Sequence, residues 1–113
     1  MWILYGLKNC DSCRKAMAWL SQHGRAYRFH DLRADGLDAL LLAGWVDQLG
    51  WEPLLNRKST TWRGLTQADT HDLNRDTALA LMLTYPTLIK RPILVADDRL
   101  LLGFSPERYA ELP

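Results

Sequence analysis

The chain has 113 residues, 48% of them apolar, and a formal net charge of +1. That length fits a single domain with a real core, and the near-neutral balance gives no broad electrostatic case for binding nucleic acid or an anionic membrane. No apolar run approaches the ~20 residues of a spanning helix, and "MWILYGLKNC" lacks a basic segment followed by a long apolar one, so a cytoplasmic protein with reduced thiols is expected.

"WILY" (Trp2 to Tyr5) is short, aromatic and β-branched, and Gly6 ends it, which predicts a buried strand. From Asp11 to Gln22 the period changes. Cys13, Ala16, Met17 and Leu20 fall on one helical stripe, and Gly24 stands where a helix C-terminal glycine belongs. "AYRFHD" then alternates Tyr27 and Phe29 with Arg28 and His30, as a half-exposed strand does. Strand, helix and strand this close predict a right-handed parallel βαβ unit.

The middle reads as helical. Leu37, Leu41, Trp45, Val46 and Leu49 have helical spacing between Gly36 and Gly50. "WEPLLNRKSTTW" (Trp51 to Trp62) reads as a turn and loop, and Thr66 with Asp69 as the capped start of a brief helix. In "RDTALALMLTYP", Asp76 is the expected cap and Pro86 the stop. Two strands follow, Ile93 to Val95 and Leu100 to Leu102, around an Asp97–Asp98 turn. Ser105 and Pro106 then open a last helix. The order β-α-β, helical block, β-β-α predicts an α/β fold with a thioredoxin-like mixed sheet and a helical insertion between its halves. The strand order is not in the pattern.

Both cysteines lie in "YGLKNCDSCRKAM". A structural metal site needs four ligands. Here there is one Cys pair, while His23, His30 and His71 are scattered, so no metal is expected. A buried apolar role suits Cys13, which sits on the stripe with Met17 and Leu20. It suits Cys10 less, because Cys10 falls after a strand and loop at a helix start. The first N–H groups of a helix are unpaired and partly positive. A thiolate there is stabilised and its pKa falls. Lys8, Arg14 and Lys15 add positive charge nearby, and Asp11 opposes them. A Cys-x-x-Cys beside a βαβ pattern favours a redox pair, with Cys10 as nucleophile and Cys13 as a resolving or a buried thiol.

Two further cues lie outside this stretch. Pro92 in "KRPI" leads into a strand and cannot donate a ladder bond. Arg57, Lys58 and Arg63 in "NRKSTTWR" read first as a solvated surface. If the loop covers the cleft, the Arg57 guanidinium has the fork geometry to hold a carboxylate or oxyanion.

"LYGLKNCDSCRKA", "LGWEPLLNRKSTTWRGL" and "LIKRPILV" together resemble the arsenate reductase/Spx family of thioredoxin-like proteins, and most nearly its YffB-type branch. The resemblance covers nearly the whole chain. It implies one domain over 1–113 with the insertion at about 36–85, a catalytic thiol at Cys10, an oxyanion-holding arginine at Arg91, and a cis proline at Pro92. A second family arginine falls at Asn56, with Arg57 one residue later, and the third falls near Phe104. That set weakens an arsenate assignment. Cys13 has its counterpart in the Spx regulators, where two cysteines form a redox switch and the partner is RNA polymerase.

The expected substrate-binding set is Lys8, Asn9, Ser12, Arg14, Arg57, Arg91 and Pro92, with Cys10 and Cys13 catalytic. The branch implies a glutathione-dependent thiol–disulfide reductase: glutathione as co-substrate, no tightly bound cofactor, thiol or disulfide substrates, glutaredoxin as a possible partner, and a monomer. The alternatives are arsenate reduction and an Spx-like regulator that binds RNA polymerase.

Overall fold

In the computed structural model, which describes residues 1–113, a five-residue strand β1 (Trp2–Gly6) leads through a tight loop into helix α1 (Asp11–Gln22) and back into strand β2 (Tyr27–Asp31). β1 and β2 are parallel, in the register Trp2 to Tyr27 through Gly6 to Asp31. The crossover helix makes this pairing possible, since parallel neighbours cannot be joined by a hairpin. α1 closes at His23, and Gly24 carries the positive φ (66°) that turns the chain toward β2.

The C-terminal strands β3 (Ile93–Ala96) and β4 (Arg99–Leu102) form the expected hairpin, with Asp97 at φ 58° in its turn. β3 runs antiparallel to both β1 and β4, giving a four-stranded mixed sheet in the order β2-β1-β3-β4. A βαβ half joined to a ββα half in this order is the thioredoxin-like arrangement. The last helix, α7 (Pro106–Ala110), begins at Ser105, whose hydroxyl accepts from the Arg108 amide at 3.3 Å. Period-2 alternation sends Trp2 and Leu4 of β1, and Leu94 and Ala96 of β3, to one face. There they meet Ala16 and Leu20 of α1 and Tyr109 of α7 in a closed core. Residues 1–36 and 91–113 make up this unit.

Residues 37–90 form the second unit. It contains α2 (Ala39–Leu49), α3 (Trp51–Leu54), α4 (Thr60–Arg63), α5 (Gln67–Thr70) and α6 (Arg75–Thr84), then a 3₁₀ turn at Pro86–Leu88. Its buried residues include Leu42, Trp45, Val46, Leu54, Ala78 and Met82. Leu55 and Ile89 form a short antiparallel bridge, framed by Asn56 N–H to Leu88 O (2.7 Å) and Lys90 N–H to Leu54 O (2.8 Å).

Two sequence expectations in this unit change. The stretch Trp51 to Trp62 is not a plain loop but holds α3 and the start of α4. Pro53 lies in the first turn of α3, where its missing N–H costs nothing, and Ser59 caps α4 by accepting from the Trp62 amide at 3.1 Å. The cap of α6 is Asn74, not Asp76. Asn74 and Thr77 satisfy each other's amides in a reciprocal box, at 3.0 and 2.8 Å. No helix is long and apolar enough to cross a membrane.

Candidate functional site

Cys10 is the N-cap residue of α1. Its backbone is extended (φ −106°, ψ 122°), and its carbonyl accepts the first helical bond, from Arg14 N–H at 3.0 Å. The sulfur is therefore carried at the amide-rich end of a twelve-residue helix. Partial burial would by itself raise the Cys10 pKa. It is outweighed by the amide of Cys13, by the Cys13 thiol and by the Arg91 guanidinium, all of which favour the anion, so the net shift is downward. The amide falls short of a full cap hydrogen bond to the sulfur, leaving the side-chain donors to complete the site.

Cys13 has the opposite character. It is fully buried on the inner face of α1. Burial pushes its thiol up to about 12, and the neighbouring Cys10 sulfur reinforces this, against an opposing hydrogen bond from the Leu7 amide. The two sulfurs form one hydrogen-bonded pair with unequal roles: Cys13 keeps its proton and donates it toward Cys10. Of the two readings open for Cys13, the geometry places it as the buried thiol.

A cavity of about 490 Å³ opens beside Cys10, lined by Leu7, Lys8, Asn9 and Arg91, and by Asp31, Arg33 and Ala34 from the end of β2. Asp31 is 6% exposed and organises this wall. Its Oδ1 accepts from the amides of Arg33 (2.8 Å) and Ala34 (2.9 Å). The Ala34 amide, together with the Arg33 amide, the Lys8 charge and the Lys8 amide, holds the carboxyl below its ordinary value against some desolvation. Asp35 returns the favour by accepting from Asp31 N–H at 2.9 Å, and Leu32 N–H binds Gly6 O at 2.9 Å. The end of β2 is thus a fixed turn fastened to the end of β1.

Of the expected site residues, Lys8, Asn9, Cys10 and Arg91 meet in this cavity, and Cys13 lies beneath it. Pro92 is buried, and the peptide bond before it is cis. Ser12 is exposed on α1. Arg14 pairs with Asp11 on the exposed helix surface, so the opposed charges expected to act on Cys10 are spent on each other. Arg57 belongs to the other unit, where its guanidinium lies 5.9 and 5.8 Å from the ring centroids of Trp51 and Trp62.

Asp31 and Arg33 are absent from the expected set. Their signal lay in the topology: parallel neighbours end at the same sheet edge, where α/β sheets bind ligands.

The ArsC family profile matches residues 5–112. The chain belongs to the ArsC family. A solved structure of the YFFB protein is 45% identical and covers 99% of this ArsC chain and 98% of its own, with a TM-score of 0.95. The global transcriptional regulator Spx of Lactiplantibacillus plantarum is 30% identical over 107 residues, 93% of this chain and 80% of Spx. An arsenate reductase from Vibrio cholerae is 25% identical, covers 99% and 97% of the two chains, and has a TM-score of 0.83. This ArsC chain thus has both an arsenate reductase and a global transcriptional regulator among the proteins it is similar to.

Proposed function

We propose that this chain is a thiol–disulfide reductase with glutathione as co-substrate. One observation carries the reading: the Cys10 sulfur stands at a cavity rim, at a helix N-terminus, with Arg91 and the Cys13 thiol both favouring its anion. A thiolate near ambient pH is the attacking species in disulfide exchange. In the first step the Cys10 thiolate attacks the glutathionyl sulfur of a mixed disulfide between glutathione and a second thiol. The S–S bond breaks, a Cys10 mixed disulfide forms, and the other half leaves as a thiolate that takes a proton from solvent. In the second step a glutathione thiolate attacks the glutathionyl sulfur of that mixed disulfide. Oxidised glutathione leaves, and the Cys10 thiolate returns.

Cys13 is a poor resolving nucleophile in this scheme, because it is buried and holds its proton up to about 12. Its role is to donate to the Cys10 sulfur, as reactant and as leaving group, which makes glutathione the resolving thiol. Arsenate is a weaker fit. Where the family resemblance places a further substrate arginine, this chain has Phe104, packed edge-on against Tyr109 at 4.9 Å between centroids. The second arginine position is Asn56.

An Spx-like regulator is the second reading, and the close Cys10–Cys13 pair favours it. In that case an oxidant such as a disulfide takes two electrons and two protons from the pair, and the resulting Cys10–Cys13 bond changes affinity for RNA polymerase.

The deciding experiment is a glutathione-coupled hydroxyethyl disulfide assay. The reductase reading expects turnover by the wild type and by Cys13→Ser, and none by Cys10→Ser. Full turnover by Cys10→Ser overturns it. A wild type with no turnover, but with oxidation-dependent capture of RNA polymerase, moves the assignment to the regulator.

A further inference from the structure

The cavity beside Cys10 carries three cations, Lys8, Arg33 and Arg91, and one carboxylate, Asp31. Two of the cations already face an anion. Arg91 acts on the Cys10 sulfur, and Lys8 acts on Asp31. Arg33 is different. It takes no part in the chain's ion pairs, which join Arg14 to Asp11, His71 to Asp72, and Arg75 to Asp47 and Asp76. Asp31 Oδ1 accepts from main-chain amides, including that of Arg33 itself, and the Arg33 guanidinium makes no ion pair with it. The backbone under Arg33 is held by the bonds that fix the β2 turn, so its side chain projects from a rigid base at a cavity wall. An arginine fork on a fixed backbone, in none of the chain's ion pairs, is suited to two-point recognition of a carboxylate.

We propose that Arg33 is the specificity-determining residue of this site and binds a carboxylate of the thiol compound that reacts at Cys10. This inference rests on the reductase reading and sharpens it: the preferred half of the disulfide is a small, carboxylate-bearing thiol of the glutathione type, not a neutral one. The cavity, at about 490 Å³, falls in the size range of small-molecule sites. The reacting sulfur sits at Cys10 and the carboxylate at the β2 wall. The chemical step is unchanged. Cys10 attacks the glutathionyl sulfur, the S–S bond breaks, and the second thiolate departs, with Arg33 contributing to binding alone.

The test is the rate of mixed-disulfide formation at Cys10, followed by rapid quench and mass spectrometry, with oxidised glutathione and with uncharged hydroxyethyl disulfide. Arg33→Gln is expected to slow the glutathione reaction about tenfold, the scale of one lost charge-assisted contact, and to leave the hydroxyethyl reaction within about twofold. Arg33→Lys, which keeps the charge but not the fork, is expected to recover part of the loss. The unchanged hydroxyethyl rate also reports an intact fold. An equal fall with both disulfides, or no fall with either, overturns the role of Arg33 while leaving the reductase reading standing. A wild-type protein whose Cys10 reacts with neither disulfide overturns the reductase reading, and this inference with it.

Discussion

The sulfur of Cys13 lies well inside van der Waals contact of the point where a β-carbon on Gly6 would stand, and the Cys13 Cβ lies 3.4 Å from that point. Gly6 is the last residue of β1, and Phe29 of β2 closes the space from the other side at 3.6 Å. The missing side chain makes room for the buried thiol under the nucleophile. Gly6 is not in a left-handed conformation, so its smallness is what the position uses, not its backbone freedom.

Gly6→Ala is therefore expected to destabilise the fold by about 1–3 kcal/mol through overpacking, measured by urea unfolding. It should also raise the Cys10 titration midpoint, because displacing Cys13 removes one of the donors to the Cys10 sulfur. The double variant Gly6→Ala/Cys13→Ala should recover most of the lost stability, and a thermodynamic cycle reads the coupling directly. Strictly additive losses would show that the two residues do not compete for space.

Asp31→Asn tests the wall of the cavity. The carboxylate accepts the Arg33 and Ala34 amides, and its folded pKa lies below the unfolded value of 3.8. It thus stabilises the fold at pH above 3.8, and that contribution fades as pH falls through the folded value. The variant is expected to be about 1–2 kcal/mol less stable at neutral pH. The gap should close in acid, as followed by unfolding curves at several pH values. A gap that is constant with pH would mean that the charge of Asp31 is not what holds the turn.

Asn74→Ala should cost the second unit about 1 kcal/mol by removing the cap of α6, read from the urea midpoint. Asp76→Ala should cost less, since Asp76 makes only an exposed pair with Arg75. Equal effects would contradict the assignment of the cap.

That pair of variants also marks where sequence reading succeeds and where it stops. Element types followed from local chemistry. The stripe Cys13, Ala16, Leu20 fixed α1, Ser105–Pro106 opened α7, and the alternation in β1 and β3 placed the core. The cap of α6 was displaced by two residues because Asn74 and Asp76 are both good caps, and only the reciprocal partner Thr77 decides between them. The α3 turn was hidden by Pro53, which reads as a breaker until its place in a first turn is known.

At the site, Cys10 and Lys8 were legible from motif and helix position, and Arg91 from the family resemblance alone. Asp31 and Arg33 were not, because their part in the cavity depends on the parallel pairing of β2 with β1. The charges of Arg14 and Asp11 were legible, but their mutual pairing was not.

The central claim is that Cys10 is held as an anion while Cys13 keeps its proton. The measurement is pH-dependent alkylation of each cysteine, resolved by mass spectrometry, in the wild type and in Arg91→Gln. Cys10 should label with a midpoint below the ordinary thiol value of 9.0, Arg91→Gln should move that midpoint upward, and Cys13 should stay unlabelled at every pH short of about 12 at which the fold persists. A Cys10 midpoint at or above 9.0, or equal labelling of the two thiols, would contradict the account.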